Sequence, residues 1–172
     1  MKKRALLILF VLLVASASLF ASSFDLSLFW GPHVNDFKAP GVGLATGMNV
    51  GITKRTEASL WLGTELTPDL FTDNTLALEV NFALLGVRNT GTAVAGSGIN
   101  MLLGAGIMAT SHNAEKAFRP TDVYLSLTPL TIGNPMLERR ERGAKMMLSY
   151  NWEEKKVGFM FDLLLFDYYL VK

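Results

Sequence analysis

The chain has 172 residues, of which 50% are hydrophobic, 18% charged and none cysteine. So much apolar surface excludes disorder, and the charged share lies below the roughly 25% of an average soluble domain. Without cysteine there is no disulfide framework, thiolate metal site or lipidated N-terminal cysteine, and a formal net charge of +1 gives no nucleic-acid footprint.

The N-terminus reads as an address. Met1-Lys2-Lys3-Arg4 is basic, Ala5–Val14 is an unbroken apolar run, and Ala15–Ala21 is rich in small residues. That is the layout of a secretory signal peptide over residues 1–21, followed by one domain over 22–172. Cleavage after Ala17 satisfies the small-x-small rule, and cleavage after Ala21 gives the more usual length. The alternative is a retained anchor, but the run falls short of the about 20 apolar residues of a membrane helix. Removing Lys2, Lys3 and Arg4 leaves 13 basic residues against 15 acidic ones, a net −2. The basicity belongs to the signal.

The rest of the chain alternates with period two, the mark of β-strands with unlike faces. Phe24–Gly31 sets Phe24, Leu26, Leu28 and Trp30 against Asp25, Ser27 and Phe29. Gly41–Thr53 sets Val42, Leu44, Met48 and Val50 against glycines, Ala45 and Asn49. Glu57–Leu66 sets Leu60 and Leu62 against Glu57, Ser59, Trp61 and Glu65. Leu76–Leu84 sets Leu78, Val80 and Phe82 against Ala77, Glu79 and Asn81. Gly98–Ala109 sets Met101, Leu103 and Ile107 against Asn100, Gly104, Gly106 and Met108. Asp122–Ile132 sets Val123, Leu125 and Leu127 against Tyr124, Ser126 and Thr128, with Pro129 limiting its ladder. Ala144–Trp152 sets Met146, Leu148 and Tyr150 against Lys145, Met147 and Ser149. Val157–Leu165 sets Phe159, Phe161, Leu163 and Leu165 against Met160, Asp162 and Leu164. Turn residues fill the connectors, among them Gly31–Pro40, Ser111–Thr121, Gly133–Arg142 and Glu153–Lys156.

These eight strands predict an all-β, antiparallel, up-and-down barrel. A soluble barrel or sandwich would turn its apolar face inward; a transmembrane barrel turns it to lipid. The second face decides for lipid. It carries Gly, Ala, Ser and Asn with isolated charges, whereas a water-facing strand surface carries many Lys, Glu, Thr and Arg. A narrow lumen needs small side chains and a few paired charges. Trp30, Tyr150 and Trp152 beside the outer loops, and Phe166, Tyr168 and Tyr169 at the far end, are expected as aromatic girdles. Helical spans are the weaker membrane reading, since Ile99–Ala109 and Val157–Val171 hold no 18 clean apolar residues.

In this pattern and length the mature chain resembles the small eight-stranded outer-membrane barrels, such as the transmembrane domain of OmpA. Lys156-Val157-Gly158-Phe159-Met160-Phe161-Asp162-Leu163 is similar to the polar-x-Gly-x-x-apolar-x-apolar signal of a final barrel strand. Members of that group usually end on an aromatic residue, whereas this chain ends Leu170-Val171-Lys172. The resemblance implies outer-membrane lipid and the outer-membrane assembly machinery as partners. An even strand number puts both chain ends on one side, and the topology is read with that side as the periplasm. Gly31–Pro40, Ser111–Thr121 and Glu153–Lys156 then face outward, and Gly133–Arg142 faces the periplasm.

Little points to chemistry. His33 and His112 fall in predicted outer loops, and adjacent Ser111 and His112 point apart on a strand, so they make no nucleophile–base pair. No metal motif, phosphate loop or cofactor fingerprint stands out. Glu57, Glu65, Glu79 and Asp162 share the inward parity with Lys145, and Asp25 joins them. A buried charge needs a partner, so a structural lumen network is expected, with Lys145 on Glu79 or Asp162. Arg139, Arg140 and Arg142 read as a solvated turn, or as a contact for anionic headgroups or the cell wall. Trp61, Met108, Met147 and Met160 fill an interior that eight strands leave barely wide enough for side chains, so an open pore is not expected. The reading is a small outer-membrane barrel with a structural or surface-interaction role, its loops the contact surface. The alternatives are a membrane-embedded lipid-modifying enzyme and a soluble periplasmic barrel holding an apolar ligand.

Overall fold

The computed structural model describes residues 25–35, 41–66, 73–85, 99–112, 118–134 and 139–171. They form eight strands: β1 (Leu26–Asn35), β2 (Gly41–Gly51), β3 (Thr56–Leu66), β4 (Asp73–Leu85), β5 (Ile99–His112), β6 (Arg119–Asn134), β7 (Arg139–Asn151) and β8 (Lys156–Val171). Each pairs antiparallel with the next, and β8 pairs back onto β1 to close the barrel. Closure leaves no sheet edge, so every strand has two hydrogen-bonded neighbours. The signal segment, residues 1–21, lies outside the described residues. The late apolar runs that raised a helical alternative are β5 and β8.

The stagger follows from the registers. Asp25 lies against Gly51, which pairs with Glu57, then Asn81, Gly104, Ser126, Met147, Met160 and Asn35. One circuit therefore climbs ten residues of β1, from Asp25 to Asn35. A climb of ten residues at about 3.3 Å each, over eight strand spacings of about 4.8 Å, tilts the strands by roughly 40°.

Side chains alternate as the period-two pattern requires. On β4, Thr75, Ala77, Glu79, Asn81 and Ala83 are buried in the lumen, while Leu76, Leu78, Val80, Phe82 and Leu84 are exposed on the outer wall. Two inward glycines of β5 leave room for the side chains of the adjacent strands β4 and β6. A Cβ on Gly104 would strike Asn81, Glu79 and Ser126; one on Gly106 would lie 2.6 Å from the Tyr124 ring.

The alternation is interrupted most widely along one line across β6, β7 and β8; smaller register shifts lie between Ala83 and Leu85 of β4 and between Met108 and Ala109 of β5. Inward positions on β6 step from Thr128 to Thr131, on β7 from Arg142 to Lys145, and on β8 from Asp162 to Leu165. Each step spans three residues instead of two. The extra residues stay in step across β6–β7 and β7–β8, where Leu130 pairs Gly143 and Gly143 pairs Leu164. They are absorbed at the two margins of the strip. Asn100 and Leu102 of β5 oppose Thr131 and Thr128, and Trp30 and His33 of β1 oppose Phe166 and Asp162. This is one bulge shared by three strands, marked by Pro129 on β6 and by Ala144, whose φ is 54°, on β7. A bulge adds a residue and reverses the facing of everything beyond it.

Four expectations change. Gly133–Arg142 is not a connector throughout: β7 begins at Arg139, and Arg140 and Arg142 are lumen residues. Leu164 faces outward and Leu165 inward, the reverse of the unbroken pattern. Gly31–Asn35 continues β1 instead of starting a loop, which places His33 on the barrel wall. His112 ends β5.

Candidate functional site

The polar interior is the candidate site, and it divides by height. At the end where β1 begins, Arg140 and Asp167 are register partners on β7 and β8. Arg140 Nε donates to Asp167 Oδ2 at 2.6 Å, and its two terminal nitrogens donate to Glu57 Oε2 and Oε1 at 2.9 and 3.1 Å. One guanidinium thus ties β7, β8 and β3 together across the lumen. Arg142 Nη2 donates to Asp167 Oδ1 at 3.0 Å, and the Arg142 guanidinium carbon sits 4.5 Å from the Phe29 ring centre. All four charged groups are fully buried.

Above this, a ladder of neutral groups crosses β1 to β4. Asn49 Nδ2 donates to Ser27 Oγ at 3.0 Å, Ser59 Oγ to Asn49 Oδ1 at 2.6 Å, and Asn81 Nδ2 to Ser59 Oγ at 3.1 Å. Next comes a second charged centre. Lys145 Nζ donates to Glu79 Oε2 at 2.5 Å, the same oxygen accepts from Tyr124 OH at 3.2 Å, and Ser126 Oγ donates to Glu79 Oε1. Trp61 Nε1 donates to Tyr124 OH at 3.0 Å, and Lys145 Nζ lies 5.5 Å from the Trp61 ring centre. Higher still, His33 Nδ1 donates to Asp162 Oδ1 at 2.6 Å. Phe29, Trp61, Met108, Met147, Met160 and Leu165 pack between these layers.

The expected network residues do not form one cluster. Glu79 and Lys145 meet directly, while Asp162 takes His33 and Glu57 takes Arg140. Glu65 stands half-buried near the lumen mouth, its carboxylate against Gly41. Arg140, Arg142, Asp167 and His33 were missed as lumen groups. A signal for them exists in the spacing. Asp162 and Asp167 are five apart, and Arg142 and Lys145 three apart. Charges on one strand at odd spacing share a face only if a bulge lies between them.

The aromatic residues are also redistributed. Tyr150, Trp152 and Tyr168 are exposed on the outside. Trp30, 51% exposed, lies opposite Phe166 with ring centres 5.5 Å apart, so it belongs with the far-end group rather than with Tyr150 and Trp152. Arg139 covers the Phe166 ring and pairs with Glu141 at 2.6 Å. Tyr169, expected at a membrane interface, is 7% exposed and faces the lumen, because it lies beyond the bulge.

Chemically, this interior holds charges in pairs and fills space. Among the described residues, no group of three or more His, Asp or Glu side chains is placed to hold a metal ion.

The crystal structure of the N-terminal β-barrel domain of Pseudomonas aeruginosa OprF matches with a TM-score of 0.54 and 14% sequence identity, over 85% of this chain and 100% of that one. No protein-family model matches, and no curated protein does. At such low identity the likeness is one of fold: a closed, eight-stranded antiparallel barrel of the outer-membrane type.

Proposed function

We propose that this barrel resides in the outer membrane, delivered there by its N-terminal signal, and serves a structural or surface-interaction role through its outer connections. The supporting observation is the outer wall. Leu28, Leu44, Leu78, Ile107, Leu125, Leu148 and Leu163, drawn from seven strands, are all exposed. Soluble monomers rarely expose apolar patches beyond a few hundred Å², and this belt surrounds the barrel. Inside-out polarity, with charges buried and leucines outside, suits lipid as the solvent.

The lumen supports a closed barrel. Its charged centres are bonded across the interior, and Trp61 and Tyr124 fill the space beside the Glu79–Lys145 centre. Cell fractionation tests the location. The mature protein is expected in the membrane pellet with heat-modifiable gel mobility. Release by osmotic shock would refute the reading and favour a soluble periplasmic barrel. Planar-bilayer recordings test the closed lumen, and large steady conductance would overturn it.

A further inference from the structure

An ion pair is set into the outer wall near the end where β1 begins. Arg139 Nη2 donates to Glu141 Oε1 at 2.6 Å, and both side chains point outward because they lie beyond the bulge. Glu141 is the register partner of Ile132 on β6 and of Phe166 on β8, and Arg139 is that of Tyr168. Trp30 continues the Glu141 row onto β1. Ile132, Tyr168 and Trp30 are exposed, so the two charges stand among apolar and aromatic neighbours. Other described strands differ. β2 and β5 carry no Asp, Glu, Lys or Arg, and Glu57, Glu79, Asp162 and Asp167 are all buried inside.

The pair lies flat against the wall. The Arg139 guanidinium carbon stands 5.6 Å from the Phe166 ring centre. The two side chains are 28% and 32% exposed, against 74% and 57% for the Lys156–Glu154 pair at the other end of β7. Partly withdrawn in this way, the pair keeps an open outward side. Among the described residues neither side chain has a further hydrogen-bond or ion-pair partner. A guanidinium has five N–H donors and a carboxylate about four acceptor sites, so each can take another partner while the pair stays joined. The depth is that of a headgroup. At a strand tilt of roughly 40°, register rows climb roughly 3 Å per strand in chain order. Arg139 therefore lies closer to the chain-end rim than Tyr168 and Leu28, its row neighbours. Exposed Trp and Tyr mark the boundary between hydrocarbon and water.

We infer that Arg139 and Glu141 bind the headgroup of a zwitterionic phospholipid with a primary amine, phosphatidylethanolamine. Its phosphate accepts from the Arg139 guanidinium, and its ammonium donates to the Glu141 carboxylate. The inference rests on the membrane reading above. A lone basic residue at this depth would suit any anionic lipid. An acid held beside it in the apolar wall suits a lipid that carries a cation as well as a phosphate. The cation must also donate hydrogen bonds, which the quaternary nitrogen of choline cannot do. The two side chains stay bonded to each other while the headgroup takes their remaining positions.

The test uses the mature chain in nanodiscs of equal phosphatidylethanolamine, phosphatidylcholine and phosphatidylglycerol with the same acyl chains, and native mass spectrometry of the released protein. Wild type is expected to retain one phosphatidylethanolamine, about threefold over either competitor, within the range of one partly exposed ion pair. Arg139→Gln is expected to abolish retention. Glu141→Gln is expected to erase the preference over phosphatidylcholine and to favour phosphatidylglycerol. Lys156→Gln, in the exposed pair at the other end of β7, is expected to behave as wild type. Heat-modifiable gel mobility checks that each variant is folded. No retained lipid on a barrel that enters nanodiscs would overturn the headgroup assignment alone. Equal retention of phosphatidylcholine by wild type, or an unchanged preference in Glu141→Gln, would do the same. So would a dimer without lipid that Arg139→Gln dissolves, which would give the pair to a second copy of the chain. Failure of wild type to enter nanodiscs would refute the membrane reading on which the headgroup site depends.

Discussion

Arg140 and Asp167 face each other across β7 and β8 and share a 2.6 Å hydrogen bond, while the same guanidinium forks onto Glu57 on the far wall. Both residues lie beyond the shared bulge. Without it, Arg140 and Arg142 would point outward into the apolar belt, and Arg139 and Glu141 would point inward. The bulge thus turns what reads as a basic turn into the most connected charge centre of the lumen.

Removing one side of this centre leaves buried, unpaired carboxylates. Arg140→Ala is expected to destabilise the barrel by about 3–5 kcal/mol, the usual cost of breaking a buried ion pair from one side. Reversible urea unfolding in vesicles, followed by tryptophan fluorescence, measures it. A loss below about 1 kcal/mol, the ceiling of most surface pairs, would show that water reaches Glu57 and Asp167.

At the second centre, Lys145→Met should lower the unfolding midpoint by leaving Glu79 without its cation. The double variant Glu79→Gln/Lys145→Met should recover part of the loss, since neutralising both partners removes the uncompensated charge. Heat-modifiable gel mobility against temperature is sufficient to rank the three proteins. An unchanged unfolding temperature for Lys145→Met would refute a structural role for the pair.

Ala144 has a left-handed backbone, φ 54°, within the bulge. An L-residue there costs roughly 1–2 kcal/mol, whereas glycine in a strand costs about 0.5–1 kcal/mol in entropy. Ala144→Gly is therefore expected to be neutral or stabilising by up to about 1 kcal/mol. Substantial destabilisation in the same urea assay would count against the bulge geometry.

Two glycines, Gly104 on β5 and Gly143 on β7, should respond oppositely. Gly104→Ala would press its Cβ into Glu79, Ser126 and Asn81, and overpacking of this kind costs about 1–3 kcal/mol. Gly143→Ala meets nothing closer than 3.9 Å and should be tolerated. Comparing their folding yields into detergent checks the pair.

Leu78→Arg places a charge on the outer face of β4. In lipid it should cost about 2–4 kcal/mol near the midplane. In a soluble barrel, an exposed Leu-to-Arg change would lie within about 0.5 kcal/mol. Unfolding from vesicles separates the two.

Much of this architecture was legible in residue order. Leu76–Leu84 alternates without interruption, and β4 follows it residue for residue, because one face meets small polar neighbours and the other the apolar exterior. The inward positions of Glu79 and Lys145 came from the same parity. What parity hides is a change of parity. Beyond Gly143 and Leu163, simple alternation assigns Leu164 inward and leaves Tyr169 at an interface, and it cannot carry Arg140 into the lumen. His33 was hidden differently: Gly31-Pro32 reads as a turn, yet β1 passes through it, since Pro32 sits where the β1–β8 ladder is already interrupted by the bulge. Partner choice also lies beyond parity. Asp162 takes His33 because the two are register partners across the closing seam, a relation that exists only once β8 has met β1.

The ten-residue climb around the barrel has a further implication for how the interior can vary. Strand number and stagger together set the girth, independently of which side chains lie inside. The lumen is then a vessel of constant capacity, in which bulk on one strand is matched by bareness on its neighbour, as Gly106 is bare beside the Tyr124 ring. Substitutions inside should accumulate as compensating exchanges, large for small on one strand and small for large on its neighbour, while the outer wall drifts freely among apolar residues.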